Sequence, residues 1–164
     1  MEINREAFED ISMRLPYGVR GYVPVEVFNG SYDIIDGSAE YDDYDVLVEL
    51  TAINENGEIE VYCLDDRFDL TDYNYTLNDF TPLLRPMESI PDNERNELCD
   101  KMFELAMEDV KKRSNGDDTL STATSVFCIK YLLSRHYDIN GIIAKRLAAA
   151  VTEENNPYND VQKD

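Results

Sequence analysis

Apolar and polar residues alternate through the middle of the first half of the chain, and apolar residues recur every three or four positions through the second half. Residues 46–53, Val46-Leu47-Val48-Glu49-Leu50-Thr51-Ala52-Ile53, have the composition of a strand. Asn54-Glu55-Asn56-Gly57 then supplies a turn, and residues 58–64 return beside the strand with Ile59, Val61 and Cys63 on one face and Glu58 and Glu60 on the other. Upstream, Val23, Val25 and Val27 alternate with Tyr22, Pro24 and Glu26, which predicts a first strand over residues 19–27. Pro24 offers no N–H, so that strand is expected at an edge or broken. Asn4 is placed to cap a short helix with Ala7, Phe8 and Ile11 on its inner side, ending before Pro16.

The second half has the helical period. Cys99, Phe103, Ala106 and Val110 form a stripe widened by Leu98, Met102 and Leu105. Pro91, Asp92 and Glu94 suit the start of that helix, and Lys111, Lys112 and Arg113 suit its end. A second helix is predicted over residues 119–135, apolar on two sides and therefore central to the packed half. A third is predicted over residues 138–151, capped by Asp138, with Ile142, Ile143 and Leu147 inward. Between the halves lies Thr81-Pro82-Leu83-Leu84-Arg85-Pro86-Met87, whose two prolines argue for an extended crossover through which no central strand runs. Leu83, Leu84 and Met87 should dock it, and Arg85 should pair with Asp79 or Glu88.

Together these elements predict one α+β domain over residues 1–151. A short N-terminal helix leads into a small antiparallel sheet, curled in the direction of a barrel, in the strand-rich half 1–80. A crossover at 81–90 leads to a C-terminal three-helix cluster in the helical half 91–151, and a loose polar tail follows at 152–164. The length of 164 residues suits a single core. No apolar run is long enough to span a bilayer, and charges throughout the first ten residues argue against a signal peptide, so a cytoplasmic protein is expected. Three cysteines without C-x-x-C spacing are expected as reduced thiols, most of them buried.

Charge changes the picture. The formal net charge is -20, and it is concentrated: residues 1–80 hold twenty acids and only four bases, with no Lys or Arg between Gly21 and Asp66. Such a surface repels nucleic acid and anionic membrane, so direct binding to either is disfavoured. The bases Arg14, Arg20 and Arg67 are expected to neutralise neighbouring carboxylates.

Candidate chemistry is sparse. His136 is the one histidine, which leaves out any site needing two. A Cys128-His136-Asp138 nucleophile arrangement would need to close about 12 Å of helical rise, so the expected role of His136 is a cation at a helix C-terminus. Asp33, Asp36, Glu40, Asp42, Asp43 and Asp45 could face a hard cation, but they lack the offsets of a calcium loop. No glycine lies in a phosphate-loop context. No catalytic residue, cofactor or metal ligand is therefore assigned.

Three islands carry a resemblance: Arg14-Leu15-Pro16-Tyr17-Gly18-Val19, then Pro82-Leu83-Leu84-Arg85-Pro86-Met87, then Arg135-His136-Tyr137-Asp138-Ile139-Asn140-Gly141-Ile142-Ile143. In order and rough spacing the chain resembles small proteins of Bacteroides-group phages and other mobile elements, which carry "RLPYGV", "KPYLRPM" and "HHFDYRGLI" at these places. It departs from them in Leu83-Leu84, in Arg135 at the first His position, and in the acidic block 33–45, which has no counterpart there. The resemblance implies a bacterial or phage cytoplasmic setting and carries over no catalytic residue.

The expectation is thus a non-enzymatic accessory protein that acts by binding another protein. The acidic and aromatic surface of Asp33, Asp36, Glu40, Tyr41, Asp42, Asp43, Tyr44 and Asp45 is its candidate contact. The alternative reading is a nucleic-acid mimic that occupies the basic groove of a host enzyme. A metal-dependent enzyme is the third.

Overall fold

The computed structural model describes residues 4–35, 37–115 and 122–158. They form a mixed α+β fold in which a curled six-stranded sheet, a half-barrel, is accompanied by helices. Helix α1 (Arg5–Arg14) starts where Asn4 Oδ1 accepts the N–H groups of Glu6 and Ala7, at 3.1 and 3.2 Å. A 3-10 turn through Pro16 ends it, and Gly18 at φ 70° redirects the chain into the sheet.

The strands are β1 (Arg20–Tyr32), β2 (Ala39–Ile53), β3 (Glu58–Cys63), β4 (Tyr75–Thr76), β5 (Thr81–Leu84) and β6 (Ala149–Ala150). Their order across the sheet is β4-β3-β2-β1-β5-β6, antiparallel except for the β5–β6 pair. The hairpin turns over residues 54–57 as expected, and its register places Ile59, Val61 and Cys63 against the core with Glu58 and Glu60 exposed. The core is built from Ala7 and Ile11 of α1, from Val23, Val25, Val46, Val48 and Leu50 of β1 and β2, and from Leu84 and Ile142. Curling brings the far edge back toward β1: the Tyr75 hydroxyl donates to Pro24 O at 3.2 Å and the Tyr73 hydroxyl to Glu26 O at 2.9 Å. These hydroxyls reach the stretch of β1 beyond Tyr22 that β5 leaves unpaired.

Four expectations are corrected. The proline segment does contain a strand: β5 sits between β1 and β6. Pro82 is tolerated because β5 pairs with β1 only at Thr81 and Pro82 and with β6 only at Leu83 and Leu84, so no ladder brackets the proline on both sides. Gly21 makes the approach to β5 possible, since a Cβ there would lie 2.4 Å from the Thr81 carbonyl oxygen. Leu83 and Leu84 are buried, whereas Met87 is exposed, and Arg85 pairs with Glu94 instead of Asp79 or Glu88. Asp79 turns back to accept Thr76 N and the Thr76 hydroxyl.

The second correction concerns the acidic stretch, in which the sequence shows no period; residues 39–45 are the first half of β2. Third, among the described residues the helical half holds two helices, α2 (Asp92–Ser114) and α3 (Ala123–Ser134), with residues 119–121 of the expected second helix lying outside them. Residues 138–148 form turns instead of a third helix: Asp138 accepts the N–H groups of Ile142 (2.8 Å) and Ile143 (3.0 Å), and Gly141 takes φ 68°. The pair α2–α3 gives no residue to the main core, and the cysteines, most of them expected to be buried, are half-buried at Cys63 and Cys128 and exposed at Cys99. Fourth, the expected loose tail is tied down as far as Tyr158, whose buried hydroxyl donates to Leu83 O (2.9 Å) and accepts from Arg20 N (3.1 Å). The remainder of that tail lies outside the described residues.

Candidate functional site

The sequence-predicted surface lies on a two-stranded ribbon. β3 pairs with β2 only from Val48 onward, and β5 reaches only Gly21 and Tyr22 of β1. Beyond those limits β1 and β2 run on together through the pairs Pro24–Asp45, Val25–Tyr44, Glu26–Asp43, Val27–Asp42 and Phe28–Tyr41, to Tyr32–Ala39. At the tip Asp33 accepts the Ile35 N–H with Oδ1 (2.6 Å), and its N–H donates to Ser38 O (2.7 Å). Asp36 lies outside the described residues.

Strand alternation sorts the predicted residues onto two faces. Asp43 and Asp45 share one face with Glu26 and with the Phe28–Tyr41 pair. Asp42 and Tyr44 share the other with Val25 and Val27; Asp42 accepts from Asn29 Nδ2 (3.3 Å), and the Tyr44 ring packs on Phe68 at 5.4 Å. Glu40 is exposed. The acids are therefore divided and do not form a single sheet of charge. What the ribbon does concentrate is apolar surface. Phe28 packs against Tyr32 (5.3 Å) and Tyr41 (5.9 Å), all three remain exposed, and at the tip Ile34 is 101% and Ile35 96% exposed. The composition of residues 28–35 carried this signal, but an expectation built on charge passed over it.

The other concentration of functional groups was not anticipated. A cavity of about 680 Å³ opens where the start of α2 meets the end of α3, lined by Arg85, Glu94, Glu97, Arg135, His136 and Tyr158 among others. Glu94, in the first turn of α2, is buried and accepts from Arg85 Nη1 (3.2 and 3.3 Å) and from the Tyr137 hydroxyl (2.9 Å). One turn on, Glu97 accepts from the Tyr131 hydroxyl (2.7 Å) and Arg135 Nη2 (3.2 Å). The Arg85 guanidinium lies 4.3 Å over the Tyr137 ring and that of Arg135 4.9 Å over the Tyr131 ring. Burial, followed by the hydrogen bond to Glu97, pushes the Tyr131 phenol up to about 12. Burial and then the bond to Glu94 push the Tyr137 phenol up further. Two guanidiniums face two carboxylates, so the cavity has no preference for either sign of ligand.

His136 differs from the expected helix-terminal cation. It is buried at φ 60°, and its ring stacks 3.9 Å from that of Tyr158. Burial above all, then the positive charges of Arg14, Arg20 and Arg85, lowers its pKa from 6.5 to about 3. The ring is neutral at physiological pH and is a weak base. His136 Nδ1 is buried without a hydrogen-bond partner among the described residues, and Asp138 directs its oxygens to backbone N–H groups, so the Cys128-His136-Asp138 arrangement is not assembled. Because the folded-state pKa lies below that of the unfolded chain, the unfolded state binds the extra proton as pH falls below 6.5. His136 therefore contributes stability that is complete above pH 6.5 and lost on acidification toward 3. At pH 5.5 the loss is about 1.4 kcal/mol. His136→Asn, which tolerates the positive φ, should remove that component from urea-unfolding curves measured between pH 7 and 5; an unchanged pH slope contradicts the assignment.

The three sequence islands are joined in the fold, and the second and third of them contribute Arg85, Arg135 and His136 to the lining of this cavity. Arg85 N donates to His136 O (2.8 Å), Asp138 N donates to Arg85 O (2.9 Å), and Asn140 Nδ2 donates to Asp10 Oδ1 (2.7 Å), the partner of Arg14. The motif residues Arg14, Arg85, His136 and Asn140 were thus visible in the sequence, but their convergence was not. The expected neutralising roles hold for the bases: Arg14 pairs with Asp10, Arg20 with Glu49 (3.0 Å) and Arg67 with Asp65 (2.6 Å). Among the described residues no group of three or more His, Cys, Asp or Glu side chains could hold a metal ion, and no helix is long and apolar enough to cross a membrane. No family model, curated protein or solved structure matches the chain.

Proposed function

We propose that this chain is a non-enzymatic protein-binding module that engages its partner with the β1–β2 ribbon, in the phage or mobile-element setting that its sequence islands suggest. The observation that carries this reading is the exposed cluster Phe28, Tyr32 and Tyr41 with Ile34 and Ile35 at the tip, on a ribbon paired by no third strand. Aromatic side chains contribute large contact area at little entropic cost, and an apolar centre rimmed by charge is the usual anatomy of a binding patch. The rim on the face of that cluster is Glu26, Asp43 and Asp45, which selects a partner with a basic border around an apolar pocket.

The mimic reading has one favouring observation. Glu26, Asp43 and Asp45 share a face, and alternate residues along a strand lie ~7 Å apart, close to the phosphate repeat of a nucleic-acid strand. Affinity capture from host lysate over a salt series separates the two. The ribbon reading expects capture that survives high salt and is lost in Phe28→Ser/Ile35→Ser. The mimic reading expects capture that weakens steeply with salt, is lost when Asp42, Asp43 and Asp45 are all changed to Lys, and is competed by nucleic acid. A partner indifferent to both sets of substitutions removes the ribbon from the function.

A further inference from the structure

We infer that the open edge of β2 at Tyr41, Asp43 and Asp45 takes up an extended basic segment of a partner protein as an additional antiparallel strand. This deepens the ribbon reading above and rests on it. The direction of the hydrogen bonds follows from the register. Leu50 N donates to Val19 O at 2.9 Å, so the pairs that exchange bonds between β1 and β2 are those with odd-numbered residues on β1 and even-numbered residues on β2. Tyr41, Asp43 and Asp45 therefore turn their N–H and C=O groups away from β1. Leu47, the next residue in that series, shows what such a group can do: its carbonyl accepts Leu64 N at 3.0 Å, where the sheet continues toward β3. Nearer the tip β3 is gone, and among the described residues nothing hydrogen-bonds the backbone of Tyr41, Asp43 or Asp45 on that side. All three residues are exposed. The other edge of the ribbon is closed over the facing stretch. Pro24 offers no N–H, its carbonyl accepts the Tyr75 hydroxyl, and the Glu26 carbonyl accepts the Tyr73 hydroxyl. A strand can be added on β2 there and not on β1.

Charge selects the occupant. The side chains of Tyr41, Asp43 and Asp45 share one face with Glu26 and Phe28, and residues directly opposite them on an added strand come within cross-strand contact. No Lys or Arg occurs between Gly21 and Asp66 to offset these acids. The base that approaches the ribbon is Arg67, 5.6 Å from the centroid of the Phe68 ring that packs on Tyr44, and it is already held by both carboxylate oxygens of Asp65. A second copy of the chain is refused. Two such edges paired about a two-fold axis set Asp43 against Asp43, so like charges meet directly. A partner segment with the pattern basic-x-basic-x-apolar is accepted. Run antiparallel, as both neighbours of β2 run, it sets its bases opposite Asp45 and Asp43 and its apolar residue opposite Tyr41, beside Phe28. Main-chain bonds hold the segment, and the alternate side chains choose it.

The probe is a capped peptide, Lys-Val-Lys-Val-Phe, with amide hydrogen exchange of the full chain read by NMR. At saturating peptide the amides of Tyr41, Asp43 and Asp45 should exchange about tenfold more slowly or better, while those of Asp42 and Tyr44, already paired to β1, change little. Asp43→Lys/Asp45→Lys should weaken peptide binding by about tenfold or more with an unchanged far-ultraviolet circular dichroism spectrum, since both positions are exposed. A methyl on the backbone nitrogen of each peptide lysine keeps the charge, removes the donors that face β2, and should abolish binding. A methylated peptide that binds as tightly as its parent overturns the inference, because charge attraction alone then accounts for the binding. A bound peptide that leaves the three amides unprotected, or a peptide that does not bind, overturns it as well. Lysate capture judges the ribbon separately. Capture lost in Phe28→Ser/Ile35→Ser beside unprotected amides overturns the added strand alone, and capture indifferent to the ribbon substitutions overturns the ribbon reading itself.

Discussion

Asp10→Ala is expected to cost about 3–5 kcal/mol, enough to unfold much of the population of a domain of this size. Asp10 and Arg14 stand four residues apart on α1 and so share one face, the face turned into the protein. Asp10 is 1% exposed and Arg14 0%, and they meet through Nε–Oδ2 at 2.6 Å and Nη2–Oδ1 at 3.1 Å. Asn140 Nδ2 adds a third contact from the turn region after α3. The attraction of such a pair roughly offsets the cost of removing two charges from water, so the pair itself adds little net stability. Removing the carboxylate alone leaves the guanidinium buried without a counter-charge, among the other arginines that already depress His136. The measurement is urea unfolding of Asp10→Ala beside Asp10→Ala/Arg14→Met. The double variant should recover much of the loss, because the unpaired charge is gone. If the single variant is as stable as the parent, the pair is not buried as described.

Leu84→Ala is expected to cost about 2–5 kcal/mol, through lost apolar burial and the cavity left behind. Leu84 is 0% exposed and belongs to the main core, with β1 on one side of its strand and β6 on the other. Its carbonyl accepts Val151 N at 2.8 Å, so the site is held by backbone and cannot collapse freely onto a smaller side chain. The effect should appear as a lower urea midpoint with an unchanged slope. Unchanged stability would mean that the proline segment is a surface connection and not a strand of the sheet.

These two residues also show where sequence reading succeeds and where it stops. Leu84 was legible as a core position because an apolar pair between two prolines has few other roles. That its segment pairs as a strand was not legible, because the proline rule describes a donor missing from a ladder and cannot foresee a ladder only two residues long on each side. Asp10 gave no signal, since an acid four residues from an arginine is ordinarily a solvated surface pair. Its burial follows from the loop carrying Asn140 closing over α1, which is a tertiary event. His136 was assigned to a helix end from its place in the sequence. Its neutral state comes first from burial, with the Tyr158 ring stacked on it, and then from Arg14, Arg20 and Arg85, each more than fifty residues away in the chain.

The sequence by itself determined the local elements with a strong period or a strong stop. These are the Asn4 cap, the turn at residues 54–57, the alternation that puts Ile59, Val61 and Cys63 on one face, and the span of α2 between Pro91 and its basic last turn. Each depends on interactions within a few residues, and these are readable from spacing. The tertiary structure decided which apolar faces are covered. The stripe on α2 and the aromatic end of the ribbon have the same composition as core, and only the three-dimensional arrangement leaves them outside it. It also decided that Asp138 would hold a turn and not start a helix, because its oxygens were claimed by Ile142 and Ile143 in a loop that must return to form β6. Hydrophobic burial is non-directional, so a sequence marks which residues seek cover. Chain connectivity and packing decide which of them are covered.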